Sequence, residues 1–207
     1  MCMNVHANIK NMKIFAIQGS PNKKGSTAHL LENYLKGVRE IHPEAEIQEV
    51  FLQNRNIGYC RGCQACKSGK SKRCVFKDDI YDLYQDFEEA DVFVIASPIY
   101  WYDVSGQTKV FIDRLYGSDF NNMHPNKQIV LLTSYAGKTI EEAGINSAIS
   151  IIERFADFFG AQFKQKYMVG TSSKEYYDSP VKNNKIALKE VYELGKQLRL
   201  EETKSFH

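Results

Sequence analysis

Between a short apolar run and a helically spaced apolar pattern, the chain reads Gly19-Ser20-Pro21-Asn22-Lys23-Lys24-Gly25-Ser26-Thr27. Hydroxyls, an amide and glycines gathered at the entry to a helix suit the binding of a phosphate. The first turn of a helix carries N–H groups without intrahelical partners and the positive end of the helix dipole. A phosphate accepts from those N–H groups, while Ser20, Asn22, Ser26 and Thr27 fill its remaining lone pairs. Neither Gly-x-Gly-x-x-Gly nor Gly-Lys-Ser/Thr is present, so a terminal monophosphate fits better than a pyrophosphate or triphosphate. The same residues also describe an ordinary turn in which Ser26 or Thr27 caps its own helix.

A second cluster, Ser97-Pro98-Ile99-Tyr100-Trp101-Tyr102-Asp103-Val104-Ser105-Gly106, sets three aromatics in succession at a strand terminus. They cannot all face a core, and a flat ring ligand explains them: aromatic side chains stack on planar heterocycles, and loop N–H groups donate to their carbonyls. A monophosphate at one end and a flat ring at the other point to flavin mononucleotide. The alternative is a subunit contact or loop anchor made by Tyr100 to Tyr102.

A third cluster is Cys60, Cys63, Cys66 and Cys74, spaced C-x2-C-x2-C-x7-C. In a cytoplasmic chain such clustering argues for metal or redox chemistry rather than a structural disulfide. Four thiolates also suit a structural zinc, although those sites usually come as two separated pairs, and free thiols are a further state. The fifth cysteine, Cys2, lies apart in the leader.

These residues need a scaffold, and the hydrophobic pattern supplies it. Met12 to Ile17, Val92 to Ala96, Gln128 to Leu132 and Phe163 to Val169 read as strands, and Glu46 to Phe51 as one nearer an edge. Helical spacing joins Leu30, Leu31, Tyr34, Leu35 and Val38, then Ile80, Leu83, Tyr84 and Phe87, with Asp78 or Asp79 as cap. It recurs at Thr108, Phe111, Ile112 and Leu115, at Ala148, Ile152, Phe155 and Phe159, and at Ala187, Val191, Leu194 and Leu198. Strands alternating with helices predict a doubly wound parallel sheet. Ligands of such sheets sit beyond the carboxyl ends of the strands, where three loops, Ser20 to Thr27, Ser97 to Ser105 and Thr133 to Gly137, converge. Leu52 to Lys77 is too long for a plain connection and reads as a functional insertion.

At 207 residues, 43% hydrophobic and 25% charged, the composition is that of a globular domain. The expected organisation is a leader over residues 1–11 and one domain over 12–202, with the cysteine insertion near 53–77. No segment reads as a membrane span or secretory signal, which points to the cytoplasm. A net charge of +2, with one basic cluster from Lys67 to Arg73, does not suit nucleic acid. His29, His42 and His124 have no nucleophile partner and read as structural.

Taken together, Gly19-Ser20-Pro21-Asn22-x-x-Gly25-Ser26-Thr27, the Ala90-Asp91 that opens the strand ending Ser97-Pro98-Ile99-Tyr100-Trp101, and Ser105-Gly106-Gln107-x-Lys109-x-Phe111-Ile112-Asp113-Arg114 resemble the NADPH-dependent FMN reductase family of the flavodoxin-like superfamily. The resemblance runs from about Met12 to Gly117. It implies a flavodoxin-like five-stranded parallel sheet of order 2-1-3-4-5 with helices on both faces. It also implies FMN held by Ser20, Asn22, Ser26 and Thr27 at the phosphate, by Pro98, Ile99, Tyr100 and Trp101 at the ring, and by the loop carrying Thr133, Ser134, Tyr135 and Gly137. Many members carry arginine where Asn22 stands, so phosphate affinity here is expected to lean on Lys23 or Lys24. The compact cysteine motif resembles that of the iron-sulfur flavoproteins, which implies a [4Fe-4S] cluster on Cys60, Cys63, Cys66 and Cys74. Asp113 and Arg114 belong to the motif but receive no catalytic role. The expected function is electron transfer from NAD(P)H through FMN to a small acceptor such as a flavin or quinone; the alternative is an iron-sulfur flavoprotein relaying electrons between protein partners. The expected assembly is a homodimer or homotetramer.

Overall fold

The computed structural model describes residues 11–123, 126–171 and 180–200; Cys2, His124 and nearly all of the leader lie outside them. The chain runs β1 (Lys13–Gln18), α1 (Ser26–Ile41), β2 (Glu46–Phe51), α2 (Ile80–Glu89), β3 (Val92–Tyr100), β4 (Asp103–Val104) and α3 (Gly106–Leu115). It continues through β5 (Gln128–Ala136), α4 (Ile145–Phe158), β6 (Gln162–Thr171), α5 (Pro180–Asn183) and α6 (Lys185–Lys196). Five strands pair in parallel in the order β2-β1-β3-β5-β6, and β4 adds a short antiparallel partner to β3. Among the parallel strands this is the flavodoxin-like order 2-1-3-4-5. The sixth strand was not anticipated: residues read as a loop extend β3 to Tyr100 and fold back as β4.

The apolar runs split between two cores because successive strand residues face opposite sides. Phe15, Ile17, Phe93, Ile95, Ile129 and Leu131 pack beneath α2, α3 and α4, while Ile14, Ala16, Val92, Val94, Val130 and Leu132 pack beneath α1 and α6. β2 is mostly exposed and β6 alternates, as edge strands do. Asp91 aligns the central pair by accepting from the Lys13 N–H at 2.7 Å. Of the residues assigned to the last helical face, Leu194 is only partly buried and Leu198 lies past the end of α6.

On the α1 and α6 side two helices touch backbone to backbone. A Cβ at Gly37 would stand 2.0 Å from the Tyr192 carbonyl oxygen, and one at Gly195 would stand 2.1 Å from that of Tyr34. Gly37→Ala gains about 1 kcal/mol of helix propensity and loses about 1–3 kcal/mol to overpacking. The urea midpoint is therefore expected to fall; a raised midpoint would contradict this contact.

Candidate functional site

The loop from β1 to α1 is built by its own polar groups. Ser20 Oγ accepts from the Asn22 N–H at 3.1 Å, Asn22 Oδ1 accepts from the Lys24 N–H at 3.0 Å, and Gln18 Nε2 donates to the Asn22 carbonyl at 3.0 Å. Gly25 occupies the N-cap position of α1 and no side chain caps the helix. Ser26 and Thr27 therefore do not serve as its caps. Thr27 Oγ1 pairs instead with Ser134 Oγ at 3.0 Å, tying the first loop to the end of β5. The first turn of α1 thus borders the cavity as an uncapped, dipole-positive terminus.

The aromatic cluster forms a two-residue hairpin. Ile99 pairs with Val104 and Tyr100 with Asp103, leaving Trp101 and Tyr102 at the turn with φ of 48° and 67°. Positive φ at both central residues matches the right-handed twist of the flanking strands, and it is ordinarily supplied by Asn or Gly. Two bulky side chains there cost about 1–2 kcal/mol each. Packing holds Tyr102, which lies so close to Gly144 that a Cβ on that glycine would meet its ring at 2.5 Å. Trp101 remains 91% exposed at the cavity wall.

Beneath both loops lies a buried hydroxyl network. Ser105 Oγ donates to the Gly19 carbonyl at 2.5 Å and caps α3 by accepting from the Thr108 N–H. Thr108 Oγ1 donates to Ser97 Oγ at 3.1 Å, the Ser105 N–H donates to Ser97 Oγ at 3.0 Å, and Thr133 Oγ1 donates to the Ser97 carbonyl at 2.6 Å. The network locks the ends of β1, β3 and β5 to the start of α3. Gly19 has no room for a side chain, since a Cβ would lie 1.8 Å from Thr108 Oγ1. The signal that could have found it is a serine directly ahead of a helically spaced run, the N-cap position that Ser105 occupies.

The three loops enclose a cavity of about 530 Å³. Ser20, Asn22, Ser26, Thr27, Pro98, Ile99, Tyr100, Trp101, Ser134 and Tyr135 line it with Gly25 of the same motif, joined by Ala136 and by Thr171, neither of which the sequence singles out as a cofactor contact. Thr133 and Gly137 are not among its lining residues: Thr133 is turned to Ser97, and Gly137 follows the end of β5. Lys23 and Lys24 are exposed and also lie outside the lining. No lining side chain is charged at neutral pH, so an anion here meets N–H groups and hydroxyls rather than ammonium groups.

The insertion is fastened to the far end of α3. Its four cysteines are free thiols; Cys60 and Cys63 are exposed, and Cys66 and Cys74 are partly buried. All four line one cavity of about 30 Å³, though no three His, Cys, Asp or Glu among the described residues converge as ligands for a metal ion. Burial pushes the Cys66 thiol up. Arg73 pairs with the buried Glu88 at 2.7 Å, and Lys67 donates to the Ser118 carbonyl while its ammonium stands 3.4 Å over the Phe120 ring. Arg114, 2% exposed, pairs with Asp78 through both guanidinium arms at 2.6 and 3.0 Å. Burial alone would raise the Asp78 carboxyl; the bond from Arg114 and its charge, with N–H groups such as that of Gly58, hold it below its ordinary 3.8.

An open parallel sheet with a polar, uncharged cradle at its switch point defines a flavodoxin-like nucleotide-binding architecture. Residues 12–173 match NADPH-dependent FMN reductase, and the chain belongs to that family. An Archaeoglobus fulgidus iron-sulfur flavoprotein is 44% identical over 103 residues, which is 50% of this chain and 48% of that protein. A Clostridioides difficile iron-sulfur flavoprotein is 32% identical over 144 residues, 69% of this chain and 60% of that one. The chain thus spans about half the length of several iron-sulfur flavoproteins it matches. Among solved structures, azoreductase AzrA superposes with a TM-score of 0.68 at 18% identity, covering 90% of this chain and 100% of that one. The NAD(P)H:quinone oxidoreductase of Methanothermobacter marburgensis gives 0.67 at 16%, covering 90% and 96%. Among the described residues no helix is long and apolar enough to cross a membrane.

Ser105→Ala removes both a helix cap and the donor to the Gly19 carbonyl, and is expected to cost about 1–3 kcal/mol in urea unfolding; Gly19→Ala is expected to destabilise too, with partial rescue by Thr108→Ala. The Asp78 carboxylate, held below 3.8, stabilises the fold fully above that pH and loses its contribution as pH falls through the lower folded value. Asp78→Asn should therefore flatten the acid limb of a stability-against-pH curve.

Proposed function

We propose that the protein is an FMN-dependent oxidoreductase that takes electrons from NAD(P)H and delivers them to a small acceptor, a flavin, quinone or similar electrophile. The observation that carries this reading is the uncapped α1 terminus and the aromatic hairpin bordering one cavity, in a chain of the FMN reductase family. FMN, when bound, supplies the hydride chemistry. The chain supplies position: the Gly25 N–H is spent on the Asn22 carbonyl at 3.1 Å, and the N–H groups of Ser26 and Thr27 with the hydroxyls of Ser20, Ser26 and Thr27 would take the phosphate. Pro98, Ile99, Tyr100 and Trp101 would border the ring from one side, with Ser134 and Tyr135 from the β5 end. Apart from the phenols of Tyr100 and Tyr135, no lining side chain is an acid or base, which suits chemistry carried by the cofactor. Azoreductases and a quinone oxidoreductase among the fold neighbours agree with a small-molecule acceptor.

A second reading, an iron-sulfur flavoprotein relaying electrons between proteins, is favoured by a specific observation. All four cysteines line one cavity, and a guanidinium nitrogen of the buried Arg114, Nη2, reaches Cys74 Sγ at 3.5 Å, as suits an anionic thiolate group there. The donor set fits a [4Fe-4S] cluster in kind and number. We place the protein in the cytoplasm as a homodimer or homotetramer, acting on neither nucleic acid nor membrane.

Variants of the cavity test the main reading. Ser20→Asp sets a charge against the phosphate and is expected to weaken FMN binding by about 3 kcal/mol, roughly a hundredfold. Trp101→Ala is expected to cost about 1 kcal/mol and to alter the flavin spectrum. Fluorescence titration with FMN reads both; parental affinity in Ser20→Asp would place the phosphate elsewhere.

A further inference from the structure

We propose that Arg114 is the positioning residue of the cysteine centre, fixing both ends of the segment from Cys60 to Cys74 and donating to the Cys74 sulfur. Its Nη1 donates to the Gly58 carbonyl at 2.6 Å, two residues ahead of Cys60. Its Nη2 donates to the Phe76 carbonyl at 3.1 Å, two residues beyond Cys74, and reaches Cys74 Sγ at 3.5 Å. Asp78 holds the fork in place through both carboxylate oxygens. Between these anchors the segment has only turns and irregular backbone, so one planar side chain from α3 closes it at both ends.

Lysine cannot reproduce this, because its donors radiate from a single nitrogen whereas guanidinium presents five in a rigid plane. A purely structural clamp would be complete with Asp78 and the two carbonyls. Here one nitrogen is turned to sulfur, and Nε is buried without an acceptor, a costly state for a charged donor. The contact from Nη2 suits an electron-rich sulfur group at Cys74. Hydrogen bonds to ligand sulfurs stabilise the reduced state of an iron-sulfur cluster, so Arg114 also raises its potential. That second effect rests on the cluster reading above; the positioning does not.

The test compares the full-length parent with Arg114→Lys, and with Tyr84→Phe, which loses only the bond from Tyr84 to the Arg114 carbonyl. In the cluster-free protein, Arg114→Lys is expected to speed alkylation of Cys74 and amide exchange across 58–78 at least tenfold, leaving Cys60 and Cys63 alkylation and the Tyr84→Phe variant unchanged. Unchanged Cys74 alkylation overturns the proposal. If Arg114→Lys does not fold, Asp78→Asn, which frees the fork, carries the same expectation. After anaerobic loading with ferrous iron and sulfide, Arg114→Lys is expected to hold the same iron per chain at a more negative midpoint potential; an unshifted potential overturns the tuning effect. A parent chain that takes up no iron and sulfide overturns the cluster reading and the tuning with it, while alkylation still decides the positioning.

Discussion

The hydroxyl of Ser105 holds the site together. A buried carbonyl at the end of β1 must find a donor, and Ser105 supplies it while also capping α3 and joining Ser97 and Thr108. That places the ends of three strands and one helix at fixed separations, and the absence of a side chain on Gly19 allows the approach. The open N-terminus of α1 and the hairpin after β3 are then aligned along one cavity. A site without charged lining groups depends on such placement, since dipoles and N–H groups act only at close range.

The same helix serves the other centre. α3 begins in the hydroxyl network and carries Arg114 in its last turn, one residue before its end at Leu115, its ten residues spanning about 15 Å. The cysteine insertion hangs from that far end, held by Arg114 and by the Arg73–Glu88 pair. One short helix thereby sets the relative placement of the cavity at the strand ends and the cysteine segment.

Much of the fold was legible because its signals are local. Continuous apolar runs marked the central strands, helical spacing marked α1, α2 and α3, and glycine and hydroxyl residues marked the cradle. Strand lengths were not legible, because Ser97, Thr133 and Ser134 are polar and read as loop, yet their hydrogen bonds lie across the ladder and the network beneath it. The Trp101–Tyr102 turn carries none of the Asn-Gly chemistry that normally announces such a hairpin; packing against Gly144 substitutes for it. Lys23 and Lys24 were expected to add phosphate affinity because Asn22 stands where many family members carry arginine; both are exposed and outside the cavity lining. Arg114 lies 40 residues from Cys74, beyond what spacing reveals.

Under the proposed function, the cavity recognises a terminal phosphate through an open helix N-terminus and hydroxyls. Parallel titrations of the flavin-free protein with FMN and with riboflavin, which differ only in that phosphate, test it most directly. The account predicts that FMN binds at least a hundredfold more tightly; equal affinity for the two would contradict it.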